Sequence, residues 1–257
     1  MHAYDDVVID EDSNRNAANF FRRKIRETVT DQVVAKALCP NDYPIFTKRI
    51  CMDTDYYTTF NRPNVTLFDL KRTPFECITE TGLRTTANEI PLDELVLATG
   101  FDALTGALTR IDIRGTGPQS LEQKWADGPR AYLGLMTAGF PNLFMITGPG
   151  SPSVLSNVIV SIEQHVDWIT DCLEHLRASG ARRIEPSDDA EQGWVSHVNQ
   201  VAGATLLPRA ASWYMGANIP GKARVFLPYI GVANYRRKCA EVVANGYQGF
   251  VIANANA

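Results

Sequence analysis

The stretch from residue 143 to residue 176 constrains the fold more than any other part of the sequence. It begins with an apolar segment at residues 143–147, which predicts a short buried strand, and a loop rich in Gly, Pro and Ser follows. Apolar residues then recur three and four positions apart, which predicts one long helix with a single face directed at a core. That stripe consists of Val158, Ile162, Val166, Ile169, Leu173 and Leu176. Gly180 follows, where a left-handed C-cap is expected.

The loop before this helix is a candidate ligand-binding site. Gly148 and Gly150 flank Pro149, and a residue without a side chain lets the backbone approach a ligand closely. The N-terminus of the following helix would add unpaired N–H groups and the positive end of a dipole. The pattern therefore predicts a site for an electron-rich ligand, although the same pattern also occurs in crossover connections that bind nothing.

Composition favours a globular protein with one large domain or two smaller ones. The 257 residues are 45% hydrophobic and 21% charged, with a formal net charge of −4, so neither nucleic acid nor an anionic membrane is expected as a partner. No apolar run approaches the roughly 20 residues of a membrane span, and the acidic N-terminus is unlike a signal peptide. Five cysteines without a CxxC pair predict reduced thiols in a cytoplasmic protein, and no metal site.

The remaining periodicity predicts an α/β fold. Further helices are predicted at residues 13–28, 31–39, 191–206 and 235–245, and strands at 65–68, 75–79, 83–86 and 224–230. The apolar run at residues 95–98 predicts a strand that is buried on both faces. It stops at Thr99 and Gly100, which are candidate ligand contacts because ligands bind at the carboxyl ends of strands in open α/β sheets.

Recognisable catalytic motifs are scarce. The sequence contains no GxGxxG, Walker A, HExxH or GxSxG motif. His165, His175 and His197 lie on predicted helices, where packing or surface roles are more typical than metal ligation. From the residues alone, the chain is an α/β protein with one candidate ligand loop.

A resemblance to a known family extends this interpretation. The segments that carry it are residues 93–102, Tyr132-Leu133-Gly134, Phe140-Pro141-Asn142, Gly148-Pro149 and residues 213–222. From residue 4 to residue 251 the chain resembles Baeyer–Villiger monooxygenases, and its loop at residues 150–157 resembles the phenylacetone and steroid monooxygenase branch. The resemblance implies an enzyme that uses FAD, NADPH and O2 to insert one oxygen atom next to a ketone carbonyl, giving an ester or lactone.

The resemblance covers only the C-terminal half of such an enzyme. Family members are about twice as long, and their two GxGxxG motifs and their FxGxxxHxxxW fingerprint do not occur here. The implied fold is the C-terminal portion of an α/β flavoprotein with two Rossmann-like dinucleotide-binding domains and an N-terminal helical segment. Residues 1–46 would end a helical insertion, residues 47–92 would close the NADPH domain, and residues 93–257 would belong to the FAD domain. The missing N-terminal half is therefore an expected partner.

The resemblance also implies roles for individual residues. Arg49 corresponds to the catalytic arginine, whose guanidinium stabilises negative charge that develops when oxygen attacks the ketone. The residues implied to contact NADP are Lys48, Arg49 and Trp213; those implied to contact FAD are Thr99, Gly100, Gly148, Pro149, Asn157 and Val158; those implied to line the ketone pocket are Ser153, Val154 and Leu155. Two alternatives stay open: a related flavoprotein that oxygenates nitrogen or sulfur, and a truncated remnant without catalytic activity.

Overall fold

A computed structural model describes residues 6–254, and the chain forms two compact units that divide between Gly100 and Phe101. The outermost residues of the predicted domain limits, 1–5 and 255–257, lie outside the described residues, as does residue 4, where the family resemblance begins. No described helix is long and apolar enough to cross a membrane.

The described part of the first unit begins with three helices, α1 (Glu11–Thr28), α2 (Gln32–Leu38) and α3 (Tyr56–Thr59). Asp10 caps α1 by accepting the Ser13 N–H at 2.8 Å, and Asp31 caps α2 by accepting the Val33 N–H at 2.8 Å. These caps satisfy backbone donors that have no partner inside the helix. The two helices predicted before residue 40 are thereby confirmed to within three residues at each end.

Three short antiparallel strands follow in the order β1 (Phe75–Ile78), β2 (Gly82–Thr85) and β3 (Glu89–Pro91). The predicted hairpin is confirmed. Gly82 is required in it, because a Cβ there would lie 2.0 Å from the Ile90 carbonyl oxygen on β3. The strand predicted at residues 65–68 is wrong, since that segment joins no ladder among the described residues.

The strand predicted at residues 95–98 is also wrong. These residues pair with no described strand, and Leu95, Val96 and Leu97 are 41%, 85% and 71% exposed. The hydrophobic run is therefore present, but the described residues leave much of it exposed.

The described part of the second unit contains five α-helices, two strands and three 3-10 turns. Its helices are α4 (Gly106–Thr109), α5 (Leu121–Lys124), α6 (Val158–Ser179), α7 (Asp188–Gly203) and α8 (Val232–Ala244), its strands are β4 (Arg183–Pro186) and β5 (Phe250–Ala253), and its 3-10 turns are Ser153–Leu155, Leu207–Arg209 and Trp213–Met215. β4 and β5 pair antiparallel. Because the described strands form no parallel pair, the Rossmann-like layout stays a prediction.

The strands predicted at residues 143–147 and 224–230 are wrong. Each segment makes single backbone hydrogen bonds to a loop instead of a ladder: Met145 N–H donates to Leu135 at 2.7 Å, and Leu227 N–H donates to Tyr214 at 2.8 Å. Leu227 is nevertheless buried. Apolar runs of this length do not by themselves distinguish a strand from a packed loop.

The long helix α6 is confirmed, including Gly180 as its C-cap with a φ of +73°. The prediction of its buried face is wrong, because Leu176 is the one residue of the predicted stripe that is buried. The buried face consists of Ser161, His165, Trp168, Cys172 and Leu176. It packs on a core that also receives Trp194 from α7 and Tyr235 from α8. Val158, Val166 and Leu173 of the predicted stripe are exposed instead.

Candidate cofactor and substrate site

Lys48 and Arg49 lie in the first unit, on a segment that α1 holds in place. The Asn14 side chain on α1 accepts the Ile45 N–H at 3.0 Å and donates to the Ile45 carbonyl at 2.9 Å. Lys48 is half-buried, with its Nζ 4.3 Å from the centroid of the Tyr43 ring, a cation–π contact. Arg49 is exposed. The basic pair therefore follows a backbone segment that is anchored at Ile45.

Thr99 and Gly100 end the first unit, and both are exposed. Gly100 has a φ of +87°, a conformation that L side chains rarely adopt. The predicted position at the end of a buried strand is wrong for both residues, because no such strand forms among the described residues. Their contact with FAD stays a prediction.

An ion pair joins two of the segments that carry the family resemblance. Lys222, at the end of the segment that starts with Trp213, contacts the carboxylate of Asp102 and donates to the Thr105 hydroxyl at 2.7 Å. Asn218 Nδ2 adds a hydrogen bond to the Phe101 carbonyl at 2.9 Å. The side chains of Lys222 and Asp102 are 15% and 23% exposed, so the pair is largely shielded from water. These contacts therefore join residues 101–105 to residues 218–222 within the second unit.

The glycine loop is tied into the second unit by its backbone. Gly150 N–H donates to Leu227 at 2.7 Å, and its carbonyl accepts the Trp194 indole N–H at 3.1 Å. A Cβ on Gly148 would lie 2.5 Å from the carbonyl oxygen of Gly134, so close packing of two loops requires this glycine. The Gly150 N–H is therefore already paired within the protein. The contacts of Gly148 and Pro149 with FAD stay predictions.

The segment between the glycine loop and α6 carries the predicted substrate residues. Its 3-10 turn, Ser153–Leu155, contains buried Ser153, and Val154 and Leu155 pack partly buried against the core. Asn157 is the N-cap of α6 and accepts the Ile159 N–H at 3.1 Å. Val158, the first residue of the helix, is 39% exposed. Asn157 thus has a structural role as a cap, in addition to the predicted contact with FAD.

Trp213 begins the 3-10 turn Trp213–Met215 and is half-buried. Its ring centroid lies 4.5 Å from that of Tyr214, and the indole packs against the same core as Val154 and Leu155. Gly216 ends the turn with a φ of +65°. Trp213 is therefore both a packing residue and a partly exposed flat surface, as contact with a nicotinamide or ribose would require.

Two buried hydroxyls near these residues have no hydrogen-bond partner among the described residues. They belong to Ser153 and to Ser212, which precedes Trp213, and the two residues are 2% and 3% exposed. Buried polar groups are normally satisfied, so each of these hydroxyls can still pair with water or with a bound group. Both lie in the segments implied to meet substrate and cofactor, which fits a polar ligand. The described residues contain no cluster of His, Cys, Asp and Glu that could hold a metal.

Comparisons with known proteins give a consistent result, although no protein-family model matches the chain. A phenazine N-monooxygenase from Lysobacter antibioticus is 39% identical over 97% of this chain and 46% of its own length. A Baeyer–Villiger monooxygenase from Pseudooceanicola batsensis is 39% identical over 96% of this chain and 45% of its own length. An oxidised steroid monooxygenase bound to NADP is 47% identical, with a TM-score of 0.89 over 98% of this chain and 48% of that chain. OTEMO in complex with FAD and NADP is 38% identical, with a TM-score of 0.93 over 97% of this chain and 46% of that chain.

The chain matches the C-terminal half of Baeyer–Villiger monooxygenases. It spans about half the length of the relatives it matches. The predicted resemblance to this family is thereby confirmed, and so is the prediction that it extends over one half of the enzyme.

The residues that the Baeyer–Villiger resemblance singled out divide between the two units. Lys48, Arg49, Thr99 and Gly100 lie in the first unit, and Gly148, Pro149, Ser153, Val154, Leu155, Asn157, Val158 and Trp213 lie in the second. Within the second unit, Trp213 and the turn at residues 153–155 pack against one core. The hydrogen bonds that fix the backbone of Gly150 were not predicted, because their partners lie 44 and 77 positions further along the chain.

Proposed function

We propose that this chain is the C-terminal portion of an FAD- and NADPH-dependent Baeyer–Villiger monooxygenase, which converts a ketone and O2 into an ester or lactone. The observation that carries the proposal is the 47% identity to an NADP-bound steroid monooxygenase, over 98% of the chain and at a TM-score of 0.89. The identity to OTEMO, which was solved with FAD and NADP, is 38%. This difference also supports the steroid-like branch.

Arg49 is the proposed catalytic residue. When bound, FAD supplies the redox chemistry that activates O2. An arginine is always charged at neutral pH, and its planar fork suits an oxygen anion, so the guanidinium of Arg49 would stabilise charge that forms at the ketone oxygen. Lys48, a compact charge fixed over Tyr43, would bind a phosphate or the ribose of NADPH.

The second unit would supply the binding surfaces. Trp213 offers an indole face to NADP, and Ser153–Leu155 would line the ketone pocket. The predicted FAD contacts are Thr99, Gly100, Gly148, Pro149, Asn157 and Val158. The unpartnered hydroxyls of Ser153 and Ser212 support this assignment, because each can donate to or accept from a bound ligand.

We further propose that an N-terminal portion completes the enzyme, with residues 1–46, 47–92 and 93–257 belonging to the helical insertion, the NADPH domain and the FAD domain. The relatives are about twice as long as the region they share with this chain. The exposed apolar residues 95–97 and the outward stripe of α6, with Val166 and Leu173 43% and 50% exposed, support a further covering segment.

The test combines this chain with the N-terminal half of the steroid monooxygenase relative. We expect the mixture to retain FAD, to oxidise NADPH and to form an ester from an aryl or steroid ketone, whereas the chain alone does not turn over. The controls are the N-terminal half alone and the mixture without ketone. Ester formation by this chain alone would refute the need for a partner, and a mixture that binds FAD but never forms an ester would refute the proposed reaction.

A second candidate function is N-oxygenation. It is favoured by the 39% identity to a phenazine N-monooxygenase over 97% of the chain. Competing a ketone against an aromatic amine or a phenazine in the same completed enzyme separates the two. A kcat/KM for N-oxide formation above that for ester formation would select the second function.

A further inference from the structure

The core of the second unit contains a chain of buried polar groups that the proposed function does not use. Thr147 N–H donates to His165 Nδ1 at 2.9 Å, His165 Nε2 lies 2.8 Å from the Tyr235 hydroxyl, and that hydroxyl donates to the Leu133 carbonyl at 2.7 Å. His165 is 0% exposed and Tyr235 is 1% exposed. These four residues therefore form a continuous relay from one loop through α6 and α8 to another loop.

The partners determine where the protons of the relay lie. Nδ1 of His165 accepts an N–H, so it carries no proton, and a neutral ring must then carry its proton on Nε2. The Tyr235 hydroxyl has one proton and faces a carbonyl, so it donates to Leu133 and accepts from His165. Burial lowers the pKa of His165 to about 4, which agrees with a neutral imidazole.

Both ends of the relay are residues with unusual backbone geometry. Thr147 and Leu133 each have a φ of +56°, in the left-handed region that favours glycine. For β-branched Thr147 this conformation is a genuine outlier. Such strain persists only where the surroundings fix it, and it concentrates at ligand-binding positions. The relay supplies a fixing contact to both strained residues at once.

The two strained residues precede two glycines that touch each other. A Cβ on Gly134 would lie 2.7 Å from the Ser151 nitrogen and 2.9 Å from the Gly148 carbonyl oxygen. The loop at residues 133–134 and the glycine loop at residues 147–151 therefore pack backbone against backbone. A change in the φ of either strained residue would displace the other loop.

We infer that His165 and Tyr235 are positioning residues, which lock these two loops together and thereby set the backbone of Gly148 and Pro149 for the bound cofactor. The inference rests on the proposed function, since it takes FAD as the ligand of the glycine loop. The relay is buried and fully paired, so it touches no substrate and acts through Thr147 and Leu133. Its chemistry requires an acceptor facing Thr147 and a donor facing Leu133.

The test compares Tyr235→Phe with the matched control Tyr229→Phe. Tyr229 is also buried, and its hydroxyl also pairs with a histidine, His197, at 3.0 Å, but that pair does not include either strained residue. Amide hydrogen exchange is measured on the chain itself. In Tyr235→Phe we expect the amides of residues 133–136 and 147–151 to exchange at least about tenfold faster, and in Tyr229→Phe we expect them to stay unchanged. His165→Asn keeps an acceptor at the position of Nδ1, so the Thr147 amide should exchange more slowly in this variant than in His165→Leu.

A second measurement uses the completed enzyme. Tyr235→Phe should raise the Kd of FAD about tenfold and leave kcat at saturating FAD within about twofold, which simple destabilisation does not produce. Equal exchange in the two Tyr variants overturns the relay, whether or not the enzyme binds FAD. Faster exchange with an unchanged Kd overturns its role toward the cofactor. If the parent enzyme binds no FAD, the proposed function fails and the cofactor role fails with it, while the exchange data still decide whether the relay holds the loops.

Discussion

Glu191 forms the centre of a buried polar cluster, and replacing it by Gln should strongly destabilise the second unit. Its carboxylate accepts the Thr137 hydroxyl at 2.7 Å and the Ala138 N–H at 2.8 Å, and it lies 2.9 Å from Lys124 Nζ. The side chains of Glu191 and Lys124 are 4% and 14% exposed. The pair fastens the end of α5 and the loop after it to the first turn of α7.

The expected magnitude follows from the shielding. Gln keeps the shape of Glu191 but loses its charge, so the Lys124 ammonium stays in the interior without a counter-charge and retains only neutral partners, among them the Ala138 carbonyl at 2.6 Å. Removing one member of a buried ion pair costs about 3–5 kcal/mol, since the other charge is left desolvated. The double variant Glu191→Gln with Lys124→Met removes both charges and should recover most of that loss.

Urea unfolding followed by tryptophan fluorescence measures these effects. All four tryptophans, at positions 125, 168, 194 and 213, lie in the second unit, so the signal reports that unit. Glu174→Gln on an exposed position of α6 is the matched control and should change the unfolding free energy by less than about 0.5 kcal/mol. A loss below about 1 kcal/mol for Glu191→Gln, or a double variant no more stable than the single one, would refute the reasoning.

Three further predictions use other groups. The His165 pKa of about 4 lies below its ordinary value of 6.5. The neutral imidazole therefore stabilises the folded state above pH 6.5, and this stabilisation is lost as the pH falls toward 4. Relative to His165→Gln, the parent should lose roughly 2–3 kcal/mol of unfolding free energy between pH 7 and pH 4.5. In the completed enzyme, Arg49→Ala should retain FAD and its reduction by NADPH in stopped-flow traces but lower ester formation by roughly 100- to 1000-fold, whereas Lys48→Ala should mainly raise the KM for NADPH. Lys222→Met should cost roughly 1–3 kcal/mol in urea unfolding, because it leaves Asp102 shielded without its counter-charge.

These three predictions have clear controls and contrary outcomes. His175→Gln, on an exposed position of α6, should show no comparable pH-dependent difference. Arg49→Lys should restore ester formation only in part, and an Arg49→Ala enzyme within a few-fold of the parent would show that another group is the catalytic cation. Lys238→Met removes a lysine whose ion pair with Glu241 is about half exposed, and an equal loss there would show that shielding is not the cause.

Helix caps and a hairpin were predictable from the sequence, because a few neighbouring residues determine each of them. The Asp31 cap of α2 and the Gly180 C-cap of α6 follow from side-chain reach and from the freedom of glycine at positive φ. The hairpin of β1 and β2 was predictable for the same reason, since its turn lies between adjacent strands. In contrast, β4 and β5 were missed, because they are four residues each and pair across more than 60 positions.

The polar residues that organise the candidate site were predictable only in part. Asn14 and His165 lie in helices at buried positions, and Asn is a poor helix former, so each was a detectable exception to the apolar pattern. Their partners, Ile45 for Asn14 and Tyr235 for His165, lie 31 and 70 positions away. Nothing in the local pattern identifies contacts of that range.

The error on α6 has a physical cause that bears on function. A hydrophobic stripe predicts which side of a helix avoids water in the complete protein, whereas the described residues bury the side with His165 and Trp168. The outward side keeps Ile159, Val166 and Leu173 63%, 43% and 50% exposed. A helix that is apolar on two sides is suited to burial between two layers, and the described residues of the second unit provide one of them. The sequence pattern therefore identified the apolar side of α6 correctly, but not the side that the described residues bury. The proposed N-terminal portion would provide the layer against which the outward side packs.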